Sequence, residues 1–280
     1  AAARRRSPAC SSTDMPFTVS HAVVALPFLR TPLVPAAIAI GAMTPDLPLF
    51  LRGIVPPYAV THDLAWLPVT VVMAFVLLLV WRCVLRPATR ELTPRIVADR
   101  LPEEWDAGAR AAVRETLGGG VVGILWLVLS LALGVVTHVA WDFFTHEGRA
   151  GDALFPALEQ QWGPLQGVKW LQYGSGVFGL AGLAVFGLWW LSRRTARPVA
   201  RVLPDAVRVM WWASLPVALV AATLAALAVE GGFDTDYTPT HLIYGVLVKV
   251  AAAWGVATLL LALGVQVRRM RTLSDSRKLR

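Results

Sequence analysis

The sequence predicts an all-α, polytopic membrane helical bundle: about five transmembrane helices preceded by a broken N-terminal helical hairpin. Three observations carry that prediction. Hydrophobic residues fill 56% of the 280 positions and charged residues only 16%, too little polar surface for a water-soluble fold of this size. Five apolar stretches are each long enough to cross about 30 Å of hydrocarbon at roughly 1.5 Å per residue. The basic residues, finally, gather in alternate loops.

In chain order, residues 1–14 (AAARRRSPACSSTD) are polar and lack the apolar core of a signal peptide. They are expected to form a disordered extension, with Met15 as the natural start. The next stretch, TVSHAVVALPFLRTPLVPAAIAIGAMTPDLPLFL, is apolar but interrupted by Pro27, Pro32, Pro35 and Pro45. It permits two arrangements. One is a full span from Leu33 to Leu51; the other is a re-entrant hairpin turning near Arg30 to Pro32, with arms of about 14 and 20 Å. A hairpin of that kind survives at membrane depth only when packed inside protein or lining a cavity.

The spans follow at about Ala65–Leu85, Gly118–Asp142, Gln172–Leu191, Trp211–Val229 and Leu242–Val265. Residues 15–270 are read as one integral-membrane domain, and 271–280 as a basic tail. Arginines crowd the loops after the first span, before the second, between the third and fourth, and after the fifth. The opposite loops, Glu147–Leu171 and Glu230–His241, are poor in basic residues. Such asymmetry places the basic loops and the C-terminus in the cytoplasm of an inner, or cell, membrane. It accounts for the net charge of +8 without nucleic acid, for which no basic–aromatic module is present. Cys10 and Cys83 have neither metal-site nor disulfide spacing. PEEWDAGARAAVRET is expected as one amphipathic surface helix with an Asp106–Arg110 pair. The segment DALFPALEQQWGPLQGVKWLQ should lie over the opposite mouth, with Trp162 and Trp170 at headgroup level.

The chemistry lies at one depth. Within GVVTHVAWDFFTHEG, His138, Asp142 and His146 follow one another at four-residue steps, each a helical advance of about 400°, so they form one stripe. His138 stands roughly 30 Å along the second span, at its outer boundary, level with His62 at the start of the first span. The hairpin, if formed, returns Asp46 beside His21 at that same level. Intramembrane ionisable groups mark function by default. Imidazole with carboxylate, and no nearby thiolate, is a ligand set for a divalent metal such as zinc, iron or manganese. His21, Asp46, His62, His138, Asp142 and His146 together could hold one or two ions. Glu147 is a candidate proton relay. His241 is read as a hydrogen-bonded packing residue.

The segments MPFTVSH, GAMTPD (41–46), TH (61–62), THVAWDFFTH (137–146) and WLQYGSG (170–176) resemble a bacterial family of uncharacterised multi-pass membrane proteins known only as a domain of unknown function. More distantly, the order SH, GAxxPD, TH and HxxxD is similar to membrane-bound metal-dependent hydrolases and to the zinc-dependent phospholipase C superfamily. That resemblance implies zinc ligation by His21, Asp46, His62, His138 and Asp142, with Asp46 also a general base. The chain lacks the second His-x-x-x-Glu helix of the soluble enzymes, a place that His146 or Glu147 would have to fill.

Two functions follow. The first is a membrane-embedded hydrolase open to the outer leaflet, acting on a lipid headgroup, a phosphoester or another amphiphile. The second is a transporter or scaffold that uses the His/Asp cluster as an ion or proton site, since broken helices often hold transported substrates. Haem ligation fits poorly with the interleaved aspartates.

Overall fold

The computed structural model describes residues 18–147, 151, 154–234 and 237–278. The expected N-terminal extension and Met15 lie outside these residues. The chain is helical almost throughout, and five helices are long and apolar enough to cross a membrane.

Helix α1 (Pro35–Met43) forms the second arm of the N-terminal hairpin. The spans are α2 (Leu64–Leu92), α4 (Gly120–Thr145), α5 (Gly167–Ser192), α6 (Asp205–Glu230) and α7 (Pro239–Arg271). Between α2 and α4 lies the short amphipathic helix α3 (Ala109–Leu117). The last span continues as helix to Lys278, through most of the expected tail.

Of the two arrangements open to the proline-rich stretch, the structure takes the hairpin. Its first arm is a 3₁₀ helix, Thr18–Phe28, so it is narrower and longer per residue than an α-helix. The chain turns at Leu29–Val34 and returns through α1, which carries its proline in the first turn, where no N–H is needed. Thr18 Oγ1 donates to Asp46 Oδ2 at 2.7 Å, which brings the two ends of the hairpin together. At the tip, Val34 N–H donates to Ser130 Oγ of α4 at 2.9 Å. Ser130 lies ten residues into α4, about 15 Å along its axis, so the hairpin enters only part of the bilayer depth.

The α1–α4 contact is a backbone contact. A Cβ on Gly134 would collide with the Ile38 carbonyl oxygen and lie 2.7 Å from Ala42 N and 2.9 Å from Gly41 Cα. Beside it, Ala37, Ile40, Ala74, Leu78, Leu127 and Leu131 form a closed apolar cluster between α1, α2 and α4.

Span α2 outruns its expected end near Leu85 because Pro87 does not break it. Pro87 has no N–H for the fourth carbonyl back, and a π-helical turn at Trp81–Leu85 absorbs the mismatch just before it. The extra turns carry Arg86, Arg90 and Glu91 into the basic end of the bundle. There Arg90 is 1% exposed and Glu91 is fully buried. Arg90 binds the carbonyls of Ala98, Leu101 and Pro102, and its Nε meets Asp106 at 2.7 Å. Glu91 accepts from the Val202 and Leu203 amides and from Arg269, with Arg208 3.8 Å away. One carboxylate thus joins the end of α2 to the start of α6 and the end of α7. Arg86 grips Glu115 of α3 through both Nη atoms, and this hydrogen bonding holds the Glu115 carboxyl below its usual range.

The amphipathic surface segment differs from expectation. It is a 3₁₀ turn at Glu103–Asp106, an extended break at Ala107–Gly108, and then α3. Asp106 is not paired with Arg110 in i,i+4 fashion, because Arg90 and Arg269 take its two oxygens at 2.7 and 3.3 Å.

Removing a buried carboxylate that serves several cations leaves them uncompensated, which typically costs about 3–5 kcal/mol. Glu91→Ala should therefore lower the detergent unfolding midpoint by many degrees. The exposed-pair variant Glu103→Ala, which loses only Arg197, should change it little. Equal effects from the two would contradict the hub.

Candidate metal centre

Four side chains converge at the end of the bundle opposite the arginines. Asp46 ends a 3₁₀ turn after α1, and His62 follows the one-turn helix Tyr58–Thr61. His138 and Asp142 sit one turn apart on α4. All four are buried, from 0% exposure for Asp46 and His138 to 5% for His62. Pro45 and Pro48 hold the Asp46 turn, and Thr61 Oγ1 donates to the Pro45 carbonyl at 2.7 Å, tying the His62 segment to the Asp46 segment.

Their spacing is that of ligands around an ion. The two Nε2 atoms of His62 and His138 are 3.2 Å apart. Asp142 Oδ2 lies 3.3 Å from each of them, and Asp46 Oδ1 lies 3.7 Å from His62 and 3.6 Å from His138. A tetrahedral zinc with bonds of about 2.0–2.1 Å spaces its ligands by about 3.3–3.4 Å. Direct imidazolium–carboxylate hydrogen bonds would close to about 2.7–2.9 Å instead.

The tautomers point the same way. His138 Nδ1 faces the Ala42 carbonyl at 2.7 Å, and His62 Nδ1 faces the Tyr58 carbonyl at 3.1 Å. A carbonyl can only accept, so each Nδ1 carries the proton, and in the neutral ring each Nε2 presents its lone pair. Two lone pairs 3.2 Å apart in a dry interior repel unless a cation lies between them. With neutral rings, the two carboxylates leave a charge that one divalent ion cancels. Asp46 Oδ1, which faces both imidazoles, is buried without a hydrogen-bond partner, as an oxygen awaiting a cation would be. The residues therefore fit a divalent metal.

The other sequence candidates flank this group. The His21 ring lies against His138, with centroids 4.2 Å apart, but outside the convergent set. His146 Nδ1 stands 3.7 Å from Asp142 Oδ1, on the far side of that carboxylate, and its Nε2 is 3.4 Å from the Gln172 amide. It is the residue after α4, where the backbone turns extended and the helical stripe ends. Glu147 is half exposed and paired with Lys169 at 3.1 Å. His241 caps its own helix through Thr238. Arg149 lies outside the described residues.

Sequence reading missed the supports. Thr18 orients Asp46, and Tyr58 stacks on His62 with ring centroids 3.6 Å apart while its hydroxyl approaches Asp142 at 3.5 Å. Signals existed for both. Thr18 precedes His21 by three, the eclipsing interval of a 3₁₀ helix, and Tyr58 precedes His62 by four. Before α5, Gln161–Trp162 and Leu165–Gln166 form a small antiparallel hairpin, and Trp170 Nε1 donates to the Trp162 carbonyl at 2.8 Å.

Because Gly134 sets the approach of α1 to α4, Gly134→Val should displace the Ala42 carbonyl from His138. Metal content should then fall as far as in His138→Ala, although no ligand is changed; full retention of metal would show that the glycine contact does not position the site.

Neither a curated protein nor a solved structure matches the chain. A family model described as "Domain of unknown function (DUF4184)" matches residues 15–274, and the chain belongs to that family.

Proposed function

We propose that this protein is a membrane-embedded, metal-dependent hydrolase whose site opens at the outer membrane face. The observation that carries metal binding is the pair of Nε2 atoms 3.2 Å apart, each ring turned by a carbonyl on its Nδ1, with two buried carboxylates beside them. Zinc suits the ligand set, and the convergent atoms define a single position. His62, His138 and Asp142 would hold the ion and leave a position open for water, with the more widely spaced Asp46 Oδ1 beside that position. A divalent ion in such a site supplies Lewis-acid polarisation of a phosphoryl or carbonyl oxygen and activates water.

The chain's own residues do the rest. Thr18 and the Ala42 and Tyr58 carbonyls fix ligand orientation, which preserves geometry during turnover. Asp46 Oδ1 is the carboxylate oxygen we assign to take a proton from attacking water. His146, partly exposed beside Asp142, lines the way in from the rim. The substrate class that suits a site at the end of a span is an amphiphile with a hydrolysable headgroup, such as a phosphoester, arriving sideways from the bilayer.

Hydrolysis is favoured over transport by what lies beneath the site. On the α4 stripe that carries His138, the next buried side chains toward the basic end are Val135, Leu131 and Leu127. Leu131 and Leu127 pack with Ala37, Ile40, Ala74 and Leu78 into an apolar layer. That layer would oppose passage of an ion from the cluster toward the basic end.

Elemental analysis of the detergent-purified protein should find about one divalent ion per chain, and almost none in His138→Ala or Asp142→Ala. Metal-free protein after preparation in metal-replete medium would end the reading. In mixed micelles, release of headgroup from a lipid phosphoester should require the metal and fall by a factor of roughly 10² or more in Asp46→Asn. Substrate flux across proteoliposomes that depends on His138, with no hydrolysis, would favour the transporter.

A further inference from the structure

We propose that the cavity where the α5–α6 link meets the end of α2 is a binding site for a phosphate group, as carried by a lipid headgroup at the basic face of the membrane. The cavity has a volume of about 320 Å³, and the backbone of Pro198–Leu203 lies along it, with Arg95, Asp99, Arg201, Asp205 and Arg208 around it. It is remote from the metal centre, separated from it by the length of the bundle.

The charges in its wall do not cancel. Three guanidinium groups face two carboxylates there, leaving one positive charge. Arg208 is held by Asp205, the Leu203 carbonyl and Glu91, and Arg95 by Asp205 at 3.8 Å. Arg201 makes no ion pair within 4.0 Å among the described residues, although Asp99 and Glu91 are near enough to act on its charge. Its Nη1 donates to the Thr93 carbonyl at 3.0 Å, but its Nη2 is shut off from solvent and has no hydrogen-bond partner. An enclosed N–H of a cation without an acceptor costs free energy, and an anion's oxygen in the cavity would recover it once the Arg201 side chain turned that N–H inward. Burial also pulls the Arg201 pKa below its ordinary value, and the neighbouring Arg208 adds to that.

The cavity's place in the fold points to the source of the phosphate. Span α5 ends at Ser192 and α6 begins at Asp205, so the link between them lies where the hydrocarbon gives way to headgroups. Basic pockets between spans on this face suit anionic headgroups. Arg193 and Arg194, over Trp189 and Trp190, extend the positive rim, with the tryptophans at the depth aromatic belts prefer. A planar guanidinium with a free N–H matches phosphate oxygens, and Asp99 and Asp205 make the wall a poor host for a small anion that brings no further contacts.

The test uses the full chain in mild detergent, titrated with short-chain phosphatidylglycerol and, separately, with inorganic phosphate, and followed by native mass spectrometry. One bound lipid is expected, with affinity about fivefold to tenfold weaker in Arg201→Gln. Because Arg201 also ties down Thr93, Val199→Trp serves as a second variant that fills the cavity and leaves the charges alone. It should block the lipid without altering metal content. Displacement of the lipid by comparable concentrations of inorganic phosphate would keep the site and assign it to free phosphate; failure of phosphate to compete assigns it to the headgroup. The proposal is overturned if both variants bind lipid like the wild type. It is equally overturned if Arg193→Gln weakens binding as much as Arg201→Gln while Val199→Trp has no effect, since the attraction would then be a diffuse property of the basic rim.

Discussion

The backbone of α1 lies directly on the backbone of α4 where Gly41 meets Gly134, and the candidate metal centre rests on that contact. With no side chain on either surface, the hairpin sinks close enough for the Ala42 carbonyl to reach His138, and the chain continues into the Asp46 turn beside Asp142. Small residues at a helix crossing give membrane proteins close packing where no hydrophobic driving force exists between helices. Here the same closeness also sets a tautomer. His138 is oriented by a backbone atom of another element, so its ligand nitrogen has a defined direction before any ion arrives.

The bundle buries ionisable groups at both ends and solves the cost differently at each. At the basic end, Arg90, Glu91, Arg208 and Arg269 compensate one another through carbonyls and carboxylates. Those four are satisfied within the chain, whereas Arg86 Nε and Arg201 Nη2 at the same end are not. At the opposite end, two carboxylates face two imidazoles whose protons already point elsewhere, and carboxylate oxygens are left unpartnered. Low polarity magnifies both cases: a satisfied network is rigid, and an unsatisfied one demands an ion. The contrast separates a structural polar cluster from a binding one on physical grounds alone.

Between the two ends lies an apolar layer built by α1, α2 and α4. It confines the proposed chemistry to one face and keeps a charged substrate from entering the middle of the bundle. The two-stranded hairpin at Gln161–Gln166 and the Lys169–Glu147 pair lie at that same face.

Much of this was legible in the chain itself. Apolar run lengths determined the number of spans, because a bilayer imposes a minimum length on every helix that crosses it. The four-residue spacing of His138 and Asp142 placed both on one stripe whatever they might pack against. Other features had no local signal. Whether the proline-rich stretch spans or turns back depended on Gly134 and Ser130, some hundred residues later, offering a seat for α1 and its tip. His146 sits at the end of the stripe, yet the helix stops at Thr145 and its ring swings behind Asp142, a matter of where α4 ends. Asp106 was matched to Arg110 by spacing, but the buried Arg90 is the stronger partner, since a desolvated cation must have a carboxylate. Sequence determined which residues could bind an ion at this depth; only the packing of the hairpin on α4 decided which four face one another, because ligand geometry is set by backbone contacts between distant segments.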